Sequence, residues 1–317
     1  MSVSIVLCTA GRTADLARTL EALGRAERPA GLDVELVVVD NSGGTDAAAV
    51  VAGAELRGIR ARTVSEPVRG LSRARNRGVA ESKGRAVLFI DDDVRPQGSW
   101  LAGMATPILS GAADAVAGAV RLAPHLLRPW MTDRHRAWLA STERMDFTNV
   151  RNLIGANMAV SRGVFERVRG FDPDLGAGAL GFGEESLFAR ELLDAGFRLA
   201  GAPGAVVEHH FDPSRLTRES WLDSARKRGE KEAYIAHHWD GRSADGAPVA
   251  RWVAAARLLY GRARRPADVR REEGCAEWEM LLVRELQYQR SLAAMRGLPR
   301  KYARRGEPGR RIQAAAV

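Results

Sequence analysis

Residues 86–94, Ala-Val-Leu-Phe-Ile-Asp-Asp-Asp-Val, place three consecutive carboxylates directly after five apolar residues. An apolar run of this length and composition predicts a buried strand. Three adjacent negative charges at its end repel one another and need a nearby cation, and carboxylate oxygens are ligands that Mg²⁺ and Mn²⁺ prefer. An ion held by few protein ligands completes its shell from phosphates or water. The stretch therefore predicts a metal–diphosphate site at the C-terminal edge of a sheet.

Strands alternate with helices in the first part of the chain. Apolar runs predict strands at residues 3–8, 34–39, 61–64 and 86–90, and helical periodicity predicts helices at residues 13–23 and 71–82. This alternation is typical of a parallel sheet that is covered on both faces, and ligands of such sheets bind beyond the carboxyl ends of the strands. Thr9, Asp40 and the acidic triplet all fall at that edge.

The rest of the chain is less regular. We expect strands at residues 115–121, 153–160 and 205–208, helices at 162–168 and 185–195, and a mobile or partner-facing loop and helix at 124–146. From residue 218 the pattern is helical to about residue 297. Residues 298–317 are rich in Pro, Gly and Arg and are expected to be disordered. We therefore divide the chain into a body (residues 1–220), a helical extension (221–297) and a tail (298–317).

The net charge of +9 is unevenly distributed over the 317 residues. Residues 251–317 contain 16 Lys and Arg against 7 Asp and Glu, so they account for the whole excess, and residues 1–250 are neutral. A basic tail of this kind is suited to anionic lipid, nucleic acid or an acidic partner. The alternative is a solvated helical surface with a disordered end.

Cysteine usage and hydropathy suggest the compartment. The chain has only Cys8 and Cys275, which excludes a disulfide framework, and it has no Cys/His spacing typical of structural zinc. The first apolar run is too short for a signal peptide, and none approaches the roughly 20 residues that span a bilayer. We therefore expect a cytoplasmic protein, with peripheral contact to the inner face of the membrane left open.

Five segments in this order resemble the inverting family-2 glycosyltransferases, and they lie within residues 2–220. The segments are Ser-Ile-Val-Leu-Cys-Thr (4–9), Val-Val-Val-Asp-Asn-Ser (37–42), Gly-Leu-Ser-Arg-Ala-Arg-Asn-Arg-Gly (70–78), Phe-Ile-Asp-Asp-Asp (89–93) and Gly-Glu-Glu-Ser-Leu (183–187). The resemblance implies the GT-A fold of nucleotide-diphospho-sugar transferases. That fold is α/β and Rossmann-like, with a mixed, mainly parallel sheet and helices on both faces, here followed by the helical extension.

The resemblance also implies residues that bind a nucleotide-sugar. Asp91 and Asp93 match the family's Asp-X-Asp signature. Asp93 would hold Mg²⁺ or Mn²⁺, and Asp91 would contact the ribose or the metal. Asp92 would also lie at the donor. Asp40 would accept hydrogen bonds from the base, usually uracil, beside Thr9, although a simple Asx turn is an alternative.

Further donor contacts are implied by the third segment and by Asn157. Arg75 and Asn76 match the family's Ala-Arg-Asn, and Arg73 lies in the same segment. Arg75 is the preferred phosphate contact because a guanidinium pairs well with phosphate oxygens. Ordinary surface arginines remain the alternative. Asn157 lies in a Gly-Ala-Asn segment that matches a donor-sugar contact.

The catalytic base and the remaining metal ligand are also implied by the resemblance. Glu184 and Glu185 stand where the family has Glu-Asp, so Glu185 would take the proton of the incoming hydroxyl, with Glu184 as the alternative. His209, upstream of Pro-Ser-Arg-Leu (213–216), would complete the metal shell, with His210 as the alternative if the register shifts by one.

The predicted function is metal-dependent, inverting transfer of a sugar, of hexosyltransferase type. The sugar would pass from a nucleotide-sugar, usually UDP-linked, to a hydroxyl of a saccharide, a lipid-linked acceptor or a small natural product. An aspartyl-phosphate phosphohydrolase is disfavoured because Arg95 stands where that chemistry needs Thr or Val. A dinucleotide-binding dehydrogenase is disfavoured because no Gly-X-Gly-X-X-Gly follows the first strand. A non-catalytic protein that binds nucleotide-sugar, or nucleic acid through the basic tail, is the alternative function, although no nucleic acid is expected.

Overall fold

The computed structural model describes residues 1–44, 46–242, 245 and 247–302. Its strands are β1 (Ser2–Thr9), β2 (Asp33–Asp40), β3 (Arg60–Ser65), β4 (Ala86–Asp91), β5 (Val94–Pro96), β6 (Ala115–Leu122), β7 (Asn157–Ser161) and β8 (Leu199–His209). Its helices are α1 (Thr13–Arg25), α2 (Asp46–Ala52), α3 (Leu71–Glu81), α4 (Trp100–Leu109), α5 (Asp133–Trp138), α6 (Glu184–Asp194), α7 (Arg218–His238), α8 (Ala247–Arg264), α9 (Pro266–Val269) and α10 (Glu277–Ala294). Short 3₁₀ turns occur at Pro124–Leu126, Arg162–Glu166 and Pro213–Leu216.

The eight strands form one mixed sheet in the order β3-β2-β1-β4-β7-β6-β8-β5. The first half is parallel, because β1 pairs with β2 and β4, and β2 pairs with β3, in the same direction. Strand β7 then runs antiparallel to β4 and β6, and β5 runs antiparallel to β8. The predicted α/β fold with a mixed sheet is confirmed.

Side-chain alternation along the central strands divides the core into two layers. In β4, Leu88 and Ile90 join the cluster that contains α1 and α4 side chains, whereas Val87 and Phe89 join the cluster that contains α3 and α6 side chains. Strands β1 and β2 alternate in the same way. Since successive side chains of a strand point to opposite faces, this explains why the strands are apolar throughout.

The chain divides into two compact units, Met1–Ala179 with Gly183–Pro213, and Leu180–Phe182 with the chain from Ser214 onward. The second unit is helical, and Glu279 of α10 is its buried polar centre. The Glu279 carboxylate accepts hydrogen bonds from Arg218 Nη2 of α7 at 2.6 Å and from Arg262 Nε of α8 at 2.8 Å. The domain limits that the sequence suggests, at residues 220 and 297, stay a prediction.

Several sequence-based boundaries are wrong. The strand predicted at residues 153–160 begins only at Asn157, and the helix predicted at 162–168 is a single 3₁₀ turn. The strand predicted at 205–208 is the end of the longer β8, whose first part is rich in Ala and Gly and therefore has a weak apolar signal. Strand β5 and helices α2 and α4 were not predicted, and the chain at residues 270–276 is not helical.

The predicted disordered tail lies mostly outside the described residues, which end at residue 302. Among the described residues, no helix combines the length and the apolar character needed to cross a bilayer.

Gly84, which leads into β4, lies very close to the backbone of β1. A Cβ atom on Gly84 would lie 2.3 Å from the backbone nitrogen of Ser4. Since backbone cannot move aside cheaply, we expect Gly84→Ala to lower the free energy of unfolding by about 2 kcal/mol. Urea denaturation measures this change. The matched control is Gly163→Ala, whose Cβ would meet nothing within 4 Å, and a control that loses as much stability as Gly84→Ala would contradict the prediction.

Candidate active site

The carboxyl ends of three parallel strands meet at one edge of the sheet. The strand register pairs Thr9 with Asp40 and Cys8 with Asp91. On the far side of the acidic triplet, the pairing of β5 with β8 sets His209 opposite Val94. The sheet thus brings together residues that the sequence separates by up to 200 positions.

Alternation divides the acidic triplet between the two faces of the sheet. Asp91 points towards α3, where its Oδ1 accepts a hydrogen bond from Arg75 Nη2 at 3.1 Å. Asp92 points the other way, is fully buried, and accepts a hydrogen bond from Thr9 Oγ1 at 2.7 Å. Its own backbone oxygen accepts a hydrogen bond from Thr19 Oγ1 of α1. The alternation of side chains along β4 therefore continues beyond the end of the strand.

Arg12, in the loop after β1, spans Asp92 and Asp93. Its Nη1 donates to Asp93 Oδ2 at 2.7 Å, and its Nη2 and Nε donate to Asp92. Burial raises the pKa of Asp92 to about 6, against the opposing effect of the Arg12 guanidinium. This cation beside the triplet was not predicted from the sequence, and only its position, three residues after Thr9, could have suggested it.

Arg75 joins the acidic triplet to the second acidic pair. Its guanidinium is buried and donates to Glu184 Oε1 at 2.7 Å as well as to Asp91. Gly155 makes room for it, because a Cβ there would lie 2.4 Å from Arg75 Nη2. The sequence places Arg75 at the phosphates. In the structure its guanidinium is buried and bonds to both carboxylates, and the phosphate contact stays a prediction.

Glu184 and Glu185 occupy the first turn of α6, which follows Gly183 in a left-handed conformation (φ 94°). Glu184 is buried, whereas Glu185 is half-exposed. Burial, followed by the neighbouring charge of Glu185, raises the pKa of Glu184 to about 8, while Arg75 opposes the rise. The arrangement makes Glu185 the more accessible carboxylate and Glu184 the partner of Arg75.

His209 has the tautomer of a metal ligand. Its Nδ1 lies 2.9 Å from the carbonyl oxygen of Leu139, and a carbonyl can only accept, so Nδ1 carries a proton and Nε2 is the ring nitrogen that could bind a metal in the neutral imidazole. Nε2 lies 3.6 Å from Asp93 Oδ1, roughly the separation of two ligands on one ion. His210 instead pairs with Glu208 at 2.7 Å, so the geometry favours His209 over His210.

The residues present fit a metal that the donor helps to hold. Within the described part of the chain, no group of three or more His, Cys, Asp or Glu is arranged to bind a metal ion. Asp93 and His209 would supply two ligands, and Mg²⁺ commonly binds to one or two protein carboxylates plus phosphate oxygens and water. The same pattern suits Mn²⁺, which shares this preference for oxygen.

Asp40 and Arg73 lie at the same edge of the sheet. Asp40 Oδ1 accepts hydrogen bonds from the backbone nitrogen and the hydroxyl of Ser42 at 2.8 and 2.6 Å, so the Asx turn considered as an alternative is present. Arg73 is half-exposed in the first turn of α3, and its side chain forms no hydrogen bond or ion pair with the described residues. Both residues stay candidates for contact with a nucleotide.

The structure does not favour direct donor contacts for two predicted residues. Asn157 is fully buried, its amide nitrogen donates to the carbonyls of Ala119 and Ala205, and its amide oxygen accepts from Trp100 Nε1. Asn76 makes two hydrogen bonds with the backbone of Phe171. The side-chain amide of Asn157 therefore connects β7 to α4, β6 and β8, and that of Asn76 fixes the loop at Phe171. The sequence match does not reveal these roles.

A model of the family described as glycosyl transferase family 2 matches residues 4–169, just over half of the chain. The match covers Thr9, Asp40, Arg75 and the acidic triplet, and it ends before Glu184. No curated protein matches the chain.

Solved structures with a similar fold include two complexes with Mn²⁺. A mannosyltransferase from Pyrobaculum calidifontis in complex with GDP-Man and Mn²⁺ has a TM-score of 0.61 and 18% identity, over 92% of this chain and 86% of that one. GalNAc-T7 with UDP, GalNAc and Mn²⁺ has a TM-score of 0.50 and 16% identity, over 74% of this chain and 50% of that one. At these identities the likeness concerns the fold alone, and it confirms the predicted GT-A fold.

The raised pKa of Glu184 predicts a pH dependence of stability. The folded state holds this proton up to about pH 8, whereas an unfolded glutamate releases it near pH 4.5, so stability falls as the pH rises between these values. We expect Glu184→Gln to reduce this fall by about 1 kcal/mol or more, since one pKa unit corresponds to about 1.4 kcal/mol.

Urea denaturation of the metal-free protein at several pH values measures this dependence. Glu166→Gln, at the exposed end of the 3₁₀ turn after β7, is the matched control and should keep the wild-type profile. If Glu184→Gln also keeps that profile, Glu184 is not the group responsible.

Proposed function

The chain belongs to glycosyl transferase family 2 and is a glycosyltransferase, and from this premise we propose its donor, its metal and the stereochemical course of its reaction. The donor is a nucleoside diphosphate sugar, with UDP as the first candidate, and the cofactor is Mg²⁺ or Mn²⁺. One observation carries the proposal: the Arg75 guanidinium contacts both Asp91 at the donor edge and Glu184 beside the proposed base. A donor on the triplet would therefore have its reacting end close to α6.

The donor would lie over the carboxyl ends of β1, β2 and β4. Asp40 and Thr9 would face the nucleoside, and Arg73 would be free to reach the phosphates. Asp93 and His209 would hold the metal, and Asp91 would contact the ribose or the metal. A divalent ion bound there would stabilise the negative charge that develops on the leaving diphosphate.

The transfer itself needs one proton acceptor. Glu185 would take the proton of the acceptor hydroxyl, whose oxygen then bonds to the anomeric carbon from the face opposite the diphosphate. The bond between that carbon and the diphosphate oxygen breaks with its electron pair on the oxygen, so the configuration inverts. Glu184 supports this assignment of roles because its carboxylate is occupied by Arg75.

The acceptor and the location stay open within this proposal. The acceptor would be a hydroxyl of a saccharide, a lipid-linked sugar or a small natural product. The two cysteines are consistent with a cytoplasmic protein, and the basic residues 251–317 would suit peripheral contact with the inner face of a membrane.

Asp93→Ala should abolish metal-dependent donor binding, because it removes the carboxylate that holds the ion. The measurement is the shift in thermal unfolding caused by UDP, GDP or their sugar conjugates with Mn²⁺ or Mg²⁺. For the wild type, ligand at about 100 times its Kd should add about 2.7 kcal/mol of stability. Asp33→Asn, at the opposite end of β2, is the control and should respond like the wild type. A full metal-dependent shift in Asp93→Ala would refute the metal assignment.

Glu185→Gln should bind the donor normally and lose transfer, because an amide cannot accept the proton. Glu185→Asp restores the residue that the family has at this position and should retain transfer. Metal-dependent release of the nucleoside diphosphate measures turnover, and proton NMR of the product gives the anomeric configuration. If Glu184→Gln abolishes transfer and Glu185→Gln does not, the base is Glu184; a product that keeps the donor's configuration would refute inversion.

A further inference from the structure

Helix α8 carries most of the large apolar side chains that the described residues expose. Eight such side chains are exposed in the described chain, and five of them lie on this helix. The five are Val249, Trp252, Val253, Leu259 and Tyr260. Scattered exposed apolar residues are ordinary, but a cluster on one element marks a surface that is covered by something else.

The cluster forms one continuous face of α8. Successive residues of an α-helix are about 100° apart, so positions 249, 252, 253, 256, 259, 260 and 263 fall on one side. The opposite side packs within the helical unit through Ala254, Leu258 and Gly261, and a Cβ on Gly261 would lie 2.5 Å from the Trp278 ring of α10. Helix α8 is therefore anchored on one side and apolar on the exposed side.

Arginines border this face along its length. Arg257 and Arg264 are exposed beside it, and the Arg264 guanidinium lies 6.0 Å from the centre of the Tyr260 ring. The Arg251 guanidinium lies 5.5 Å from the centre of the Trp252 ring. Long basic side chains around an apolar face that contains Trp and Tyr are typical of helices that lie in the headgroup region of a bilayer.

We propose that this face of α8, hereafter the α8 face, docks onto an anionic lipid bilayer. Trp252, Leu259 and Tyr260 enter the boundary between headgroups and acyl chains, while the bordering arginines contact the lipid phosphates. The helix lies in the plane of the bilayer and does not cross it, in agreement with the absence of a membrane-crossing helix in the described chain.

Charge favours a bilayer over a second copy of the chain as the occupant. Residues 251–317 carry the whole net charge of +9, so pairing two α8 faces would bring two strongly basic segments together. An anionic bilayer instead neutralises these charges, and each arginine near its surface adds to the binding. This proposal differs from simple attraction of the basic residues 251–317 to the membrane, because here the apolar α8 face inserts into the bilayer.

Flotation of the full-length chain with lipid vesicles tests the proposal. We expect binding to vesicles of phosphatidylcholine with phosphatidylglycerol and little binding to phosphatidylcholine alone. The double variant Trp252→Ser, Leu259→Gln should lower the partition coefficient by about tenfold or more, because it removes two inserted side chains. Val68→Ser, which changes an exposed apolar residue of the other unit, is the control and should bind like the wild type.

A site-specific label distinguishes insertion from attraction of the tail alone. Cys8 and Cys275 are both buried, so Leu259→Cys offers one accessible thiol for an environment-sensitive fluorophore, with Val68→Cys as the control. We expect a blue-shifted emission on anionic vesicles only for the label at position 259. The proposal would be overturned if the protein did not bind vesicles, if the double variant bound as well as the wild type, or if the emission of the label at position 259 did not shift. If light scattering instead shows a dimer that the double variant abolishes, the α8 face belongs to a second copy of the chain.

Discussion

The buried guanidinium of Arg75 is the interaction on which the candidate site depends. Asp91 and Glu184 come from different elements and would repel each other, and Glu184 is also penalised by burial. The guanidinium between them opposes both effects, although burial still raises the pKa of Glu184, and its planar shape allows separate hydrogen bonds to each carboxyl group. Removing only the guanidinium would leave both carboxyl groups without their hydrogen-bond donor, and removing one partner of a buried charged pair is strongly destabilising.

Two simple properties of strands distribute the remaining charges. Because side chains alternate, consecutive aspartates after β4 face different helices and can take different tasks. Asp91 meets Arg75 of α3, Asp92 meets Arg12 and Thr9, and Asp93 meets both Arg12 and the region of His209. Three identical residues therefore lie in three distinct environments. Asp92 and Asp93 are buried, whereas Asp91 is partly exposed.

Much of this architecture could be predicted from the sequence, but the contacts within it could not. Apolar strands and the positions of Thr9, Asp40 and the triplet follow from local patterns, since strand ends in a parallel sheet share an edge. The role of Arg12 depends on how a loop folds back onto the triplet, and the burial of Asn157 depends on strands far apart in sequence. The first part of β8 was missed because it is rich in Ala and Gly and mostly half-exposed or exposed, so its strand conformation comes from pairing with β6 and leaves no apolar pattern.

Gly155 has a consequence for how this enzyme could evolve or be redesigned. It performs no chemistry, yet any side chain there would collide with the guanidinium at 2.4 Å. Substitutions introduced to enlarge or reshape the nearby loop would therefore shift the guanidinium that pairs with Asp91 and Glu184. Gly155 thus contributes to the site through the space that its missing side chain leaves for the guanidinium.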